Sequence, residues 1–339
     1  MLPYIVLRYA NNALAHVHGY RGHVNSIGIS LYRGAYQLDS FYLNKFDSAT
    51  NTQTSLLSVQ KVDLSIHWRA LLHGRLVGNI EFYSPALLFK RNKTELGQVV
   101  KDTDDFRKVM RDFMPLKVNR FEVFNGSIHY IDNTTMPMVD FNMHDTYLLA
   151  SNLRNTNDKK EKLPSSVTAK ANAYGGLLTL QMKLDALSRI PTFILDAELK
   201  DADLSQMNDF FKAYGKFDVN SGKFGLYTEC AAADNKFKGY VKPIITNLKV
   251  IGPQDSNSSM GHKVKEALVS VAAFILKNHR KEQIASKVPI EGRFDEPNVN
   301  KVEAVFELLR NAFIEALMPG VDNEIDLASA ENAKVKPKK

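Results

Sequence analysis

Nine histidines and one cysteine are the residues of this 339-residue chain best suited to move a proton, bind a metal or act as a nucleophile. Their spacing gives them little to work with. His16 and His18 stand two apart in a segment with no further ligand types. His129 and His144 fall in separate strand-like runs, with no acidic partner pattern evident in the sequence. Cys230 is alone, so neither an intrachain disulfide nor a thiolate metal cluster can form. The carboxylates sit singly on the polar faces of alternating runs. No G-x-S-x-G, H-E-x-x-H, P-loop or G-x-G-x-x-G occurs. The residues therefore predict a non-enzyme, with no catalytic site, no cofactor and no metal.

Composition narrows the partners. With 44% hydrophobic and 24% charged residues the chain is globular. Its formal charge of +7 suits anionic partners such as nucleic acid or lipid headgroups. The excess is not gathered into one stripe, and part of it lies in the tail at Lys334, Lys336, Lys338 and Lys339. Basic and aromatic residues do not interleave as nucleic-acid readers do, so no nucleic-acid partner is expected. No stretch reaches the roughly 20 apolar residues of a membrane span. The opening "MLPYIVLRYANNALA" has no charged region before its apolar part and no clear cleavage site after it. It reads either as the last turns of a membrane anchor whose upstream part is missing, or as an apolar segment packed on the domain.

The elements that must position any site are mostly strands. In "GHVNSIGISLYRGAYQLDSFYLNKF", Ile27, Ile29 and Leu31 share one parity, and alternation restarts after Arg33-Gly34 with Tyr36 and Leu38. That is a hairpin of half-buried strands. Period two recurs at Val62, Leu64, Ile66 and Trp68, and again at Leu178, Leu180, Met182 and Leu184. It continues at Phe193, Leu195, Ala197 and Leu199, then at Phe224, Leu226, Thr228 and Cys230. The opposite parity is polar, so each strand has one dry and one wet face, as in antiparallel sheets. Turn signals stand at Asn125-Gly126, Tyr174-Gly175-Gly176 and Asn220-Ser221-Gly222. Asn125-Gly126, between "RFEVF" and "SIHYI", predicts a hairpin.

Short helices are expected over 103–113 and 203–214. The second has Asp203 as its cap and Leu204, Met207, Phe211 and Tyr214 as its buried stripe. After "QDSNSS" the composition changes. Helices are predicted over 262–279 and 301–318, with the strand-like "SKVPIEGRF" between them. Val302, Val305, Phe306, Leu309, Phe313 and Leu317 form one apolar stripe, which serves either core packing or a membrane or partner surface. The expected domains are an anchor remnant at 1–15, an antiparallel sheet domain at 16–255, a helical cap with one strand at 256–327 and a basic tail at 328–339.

Four blocks carry a resemblance: "GYRGHVNSIGISLYRGAYQL", "VDLSIHWRALLHGRLVGNIEF", "FDVNSGKFGLYTECAAADNKFKGYVKPIITNLKV" and "LLRNAFIEALMPG". In this order, over residues 4 to 327, the chain resembles the domain-of-unknown-function 748 subgroup of the AsmA-like envelope proteins. Tyr32 stands where that group has tryptophan, and only Leu2 to Leu7 stands for its membrane helix. The resemblance implies a mainly β fold with some α: an elongated, curled antiparallel sheet forming an apolar groove, with two C-terminal amphipathic helices. It also implies a periplasmic protein of Gram-negative bacteria, anchored in the inner membrane and handling phospholipid or another acyl lipid.

Three readings follow. In the first, part of the dry face, with Leu178, Leu180, Met182, Leu184, Phe193, Leu195 and Leu199, lines a groove for acyl chains. The same residues read equally as plain core. In the second, the protein is an envelope scaffold or outer-membrane assembly factor that docks protein partners on its sheet edges and helices. An enzyme whose site the sequence hides is the weakest of the three.

Overall fold

The computed structural model describes residues 2–17, 19–30, 34–47, 50–66, 77–91, 117–153, 161–186, 188, 190–215, 219–249, 283–285 and 287–293. The helices expected over 103–113, 262–279 and 301–318, the 328–339 tail and most of the 256–327 cap lie outside them.

Among the described residues one sheet of thirteen strands dominates. In chain order these are β1 Tyr20–Ser30, β2 Ala35–Asp47, β3 Thr52–Ile66, β4 Val77–Arg91 and β5 Lys117–Asp132. Then come β6 Val139–Ser151, β7 Ser165–Ala173, β8 Gly176–Leu184 and β9 Phe193–Asp203. β10 Ser221–Ala233, β11 Lys236–Lys249, β12 Gln283–Ala285 and β13 Val288–Arg293 complete it. Each strand through β11 pairs with its sequence neighbours, and β12 and β13 both pair with β11. β1 and β13 do not meet, so the sheet stays open. The expected antiparallel order needs one correction: β4 and β5 run parallel, making the sheet mixed. A parallel pair cannot be joined by a tight turn, and 25 residues separate the two strands in the sequence.

The register stacks the apolar parities into continuous rows. Ile27, Leu38, Val62, Phe82, Val123, Leu148, Ala169, Leu180, Ala197, Thr228, Val241 and Val288 stand side by side, and only Thr228 is polar. The next row on the same face is Ile29, Tyr36, Leu64, Ile80, Phe121, Ala150, Val167, Met182, Leu195, Cys230, Gly239 and Ile290. At about 4.8 Å per strand, each row crosses roughly 50 Å of sheet. The intervening positions, among them Gln37, Asp63, Glu81, Thr168, Gln181 and Asp196, face the other way and are mostly polar.

Asn125-Gly126 is not a hairpin. β5 runs straight through it, with Asn125 at φ 54°. Ser40, Ser84 and Asp145 also have positive φ, at 52°, 48° and 51°, and occupy neighbouring register positions in β2, β4 and β6. Together they form a crease of bulge-like kinks across the sheet. Each kink shifts which parity points inward. In β5, Phe121 and Val123 face the dry side before the kink, and Ile128 does so after it. Gly126 is needed beside it, because a Cβ there would lie 2.8 Å from Val123 Cγ1. A local Asn-Gly signal thus serves the bend of a long strand rather than its reversal.

Two helical pieces pack on the dry face at one rim of the sheet. α1, Leu2–Ala15, lays Val6, Leu7, Ala10 and Leu14 against the first strands. Its Asn11 clamps the exposed edge of β1: Nδ2 donates to Val24 O at 2.9 Å, and Oδ1 accepts from Val24 N–H at 2.7 Å. This satisfies an edge that would otherwise invite another strand. Tyr4, Ile5 and Tyr9 remain exposed on the far side of the helix. The second piece begins where expected, with Asp203 Oδ1 accepting from Ser205 N–H at 2.9 Å. It is not a uniform α-helix. A 3-10 turn Leu204–Met207 passes into an α turn Asn208–Phe210 and a π turn Phe211–Gly215. Leu204, Met207 and Phe211 are buried beneath it as predicted.

Candidate functional site

The seven groove residues come together on the dry face of β8 and β9. Leu178 stands opposite Leu199, Met182 opposite Leu195 and Leu184 opposite Phe193, while Leu180 faces Ala197. The structure then divides them. Leu199 is buried and Leu178 packs beside it, in a cluster sealed by Leu204, Met207, Phe211, Phe224 and Ile245. Phe193 joins Ala232, Phe237 and Cys230 at the opposite rim. Between these two clusters Leu180, Met182, Leu184 and Leu195 are only half-buried, and none belongs to a closed core.

Residue size shapes the open middle. Ala169 and Val167 of β7, Ala197 of β9, Cys230 of β10 and Gly239 of β11 surround the leucines and Met182. Small residues beside long ones leave a trough rather than a ridge. Cys230 is part of its floor; burial pushes its thiol pKa up, which keeps it protonated and unreactive.

At the rim where β10 turns into β11 lies an open pocket of about 790 Å³. Asp234 and Asn235 make this turn, both with positive φ as a tight hairpin requires. The pocket lining includes the row Phe193, Ala232, Phe237 and Gly292. The Phe237 ring lies across Gly292, where a Cβ would come within 2.6 Å of Cζ. Lys162, Lys236, Lys238 and Arg293 line the same pocket, with Glu291 the one carboxylate among them.

The wet face holds partnerships that sequence reasoning missed. His129 Nε2 lies 2.6 Å from Asp140 Oδ1, and His144 Nδ1 lies 2.8 Å from Asp145 Oδ2. The first partner is eleven residues away, so only strand register could have revealed it. Ser55, Ser58, Ser127, His129, Asn142 and His144 share a shallow pocket of about 360 Å³. Among the described residues, no hydrogen bond joins Ser127 to His129, so the contact that activates a nucleophile is not made. Nor do three His, Cys, Asp or Glu side chains converge there as metal ligands.

A second wet-face network surrounds Glu122, which is only 4% exposed. Arg120 Nε donates to its Oε2 at 3.0 Å, and the Tyr147 hydroxyl donates to its Oε1 at 2.6 Å. Burial alone would raise the Glu122 pKa; the Tyr147 and Arg120 hydrogen bonds and the guanidinium charge outweigh it and hold the carboxyl below its usual value. Tyr83 donates to Glu81 at 2.7 Å, and that bond, with burial, pushes its pKa up to about 12. Tyr83 also stacks on Phe124 at 4.9 Å between centroids and carries Lys61 Nζ 3.8 Å above its ring. These groups satisfy one another, as cross-strand ladders do.

No described helix is long and apolar enough to cross a membrane. The chain matches no family model, and no curated protein is significantly similar to it.

Proposed function

We propose that the protein is a lipid-binding or lipid-transfer module that holds acyl chains along the trough on the dry face of β7 to β11. One observation carries this reading. The apolar rows run from β1 to β13 with Thr228 their one polar member, yet among the described residues nothing covers them at Leu180, Met182, Leu184 and Leu195. An apolar strip with that exposure gains by covering itself, and an acyl chain supplies about 0.8 kcal/mol per methylene buried. The resemblance to AsmA-like envelope proteins points the same way. By that resemblance we expect a periplasmic protein of a Gram-negative cell, held at the inner membrane.

The test is native mass spectrometry of the purified protein with extraction of any bound lipid, repeated for Leu180→Asp and Leu195→Asp. The parent is expected to carry lipid; the variants are expected to stay folded without it. A parent free of lipid, with variants that do not fold, would make the strip an ordinary core. The envelope-scaffold reading, with protein partners on the sheet edges, would then take its place.

A further inference from the structure

We propose that the shallow pocket on the wet face of β3 to β6 binds a neutral saccharide, with Tyr42 as the platform for a sugar ring. The site lies on the face opposite the trough, so the assignment stands apart from the lipid-binding reading.

Charge sets the ligand class. Among the described residues, no lysine, arginine, aspartate or glutamate lines this pocket. A phosphate or carboxylate would find no cation there. A cation would find no free carboxylate, because Asp140 and Asp145 are already bonded to His129 and His144. The pocket is nevertheless rich in hydrogen-bonding groups. The side chains of Ser55, Ser58, Ser127 and Asn142 line it and make no hydrogen bond with another described residue. Each can both donate and accept. In a neutral imidazole the nitrogen bonded to a carboxylate carries the proton, which leaves Nδ1 of His129 and Nε2 of His144 as acceptors.

Apolar surface is the second ground. Register places His23, Tyr42, Ser58, Ala86 and Ser127 side by side in one row. Their strand neighbours Val24, Phe41, Leu43 and Leu57 are buried on the dry face, so this row faces the other way. Tyr42 is 40% exposed. His23 lies against one side of its ring, with centroids 5.9 Å apart. On the other side Ser58 and Ala86 are too short to cover the ring, and that side opens over the pocket floor. Leu88 adds a further apolar contact. A pyranose has an apolar C–H face and a rim of uncharged hydroxyls that donate and accept. It uses the tyrosine, the serines, the amide and the imidazoles together, whereas a wholly apolar ligand would leave the polar groups unpaired. The volume of about 360 Å³ is at the small end for ligand pockets and suits a short saccharide.

The experiment is saturation-transfer difference NMR on the full chain with cellotriose, maltotriose and chitotriose, with glucose 6-phosphate as the anionic comparison. The strongest binder is then titrated. At least one neutral saccharide is expected to show transfer, strongest at ring C–H protons. Tyr42→Ala removes the stacking surface and should weaken binding about tenfold. Ser58→Phe fills the floor at an exposed position and should abolish binding. Ser166→Phe makes the same change at an exposed position of β7 outside the pocket and should bind as the parent does. Far-UV circular dichroism identical to the parent's shows that a loss is not unfolding.

No transfer from any of the three saccharides overturns the assignment. Binding that survives Ser58→Phe overturns it as well, because the saccharide then sits elsewhere. Tighter binding of glucose 6-phosphate than of every neutral saccharide would make this an anion site, against the proposal. None of these results touches the trough, whose own test reads bound lipid.

Discussion

The first and last thirds of the sheet share one pattern and differ in what becomes of it. In the row that starts at Ile27, the side chains of Ile27, Leu38, Val62, Phe82 and Val123 are all buried, Val62 to 1% exposure. Further along the same row, Leu148, Ala169, Leu180 and Ala197 are half-buried, and only Val241, packed with Ile290, is buried again. Parity is the same throughout; volume is not. The first third carries Phe41, Phe82 and Phe121, with Phe82 and Phe121 meeting edge to face at 5.3 Å, and α1 closes it at the rim. The last third carries Ala169, Ala197, Cys230 and Gly239, and its cap segment closes one rim over Leu178, Leu199, Phe224 and Ile245 without reaching Leu180, Met182 or Leu195. Alternation chooses which face is dry, and side-chain size decides whether that face seals itself.

The largest expected effect is the one that breaks the sealed third. Phe82→Asp puts a carboxylate among Val62, Ile80 and Val123 with no water or cation to receive it. The cost should reach several kcal/mol, enough to consume much of a typical domain's stability. Urea unfolding would show either no folded population or a midpoint far below the parent's. A midpoint near the parent's would mean that the first third is as open as the last.

Next comes the clamp that keeps α1 on the sealed third. Asn11→Ala removes both hydrogen bonds to Val24 and leaves the edge of β1 to water. A loss of about 1–2 kcal/mol is expected. Hydrogen exchange should show it first at the Val24 amide and along α1. If protection at Val24 is unchanged, the clamp is not what holds the helix.

The sealed third is also tied from its wet face, and this tie depends on pH. The Glu122 pKa is lowered on folding, so its contribution is present above the unfolded value near 4.5 and is lost as pH falls through the folded value. Glu122→Gln should therefore melt below the parent at neutral pH, by the order of 1 kcal/mol, and the difference should close on the acid side below about pH 4.5. Melting curves at several pH values give the answer. A difference that persists in acid would assign the effect to packing rather than to charge.

Much of this arrangement was legible in the sequence, for a local reason: a period of two needs only neighbouring residues to be seen. The runs at 178–184 and 193–199, the hairpin across Arg33-Gly34 and the buried stripe Leu204, Met207 and Phe211 all rest on such short-range signals. What escaped was set by register. Asp140 reaches His129 and Tyr147 reaches Glu122 from the next strand, at separations no spacing rule covers. Asn125-Gly126 has the chemistry of a hairpin, and its role as one kink in a crease appears only once Ser84 and Asp145 stand beside it. The rim pocket escaped for the same reason, since Lys162, Lys236 and Arg293 come from three distant segments.

The smallest expected loss of stability falls in the open third, and it bears most directly on the comparison. Leu195 is half-buried between Met182 and Cys230, so replacing it with aspartate removes only part of a side chain's burial. Water already reaches the position, and the carboxylate need not be stripped of its shell, so the penalty that ruins Phe82→Asp does not apply. The expected cost is about 1 kcal/mol of lost apolar contact, with a melting temperature a few degrees below the parent's and unchanged cooperativity. Bound lipid should delay the melting of the parent but not of the variant, because a ligand stabilises only the state that binds it. Delipidated parent and Leu195→Asp should then melt nearly together. If Leu195→Asp unfolds as Phe82→Asp does, the two thirds are the same kind of core, and side-chain volume was not what set them apart.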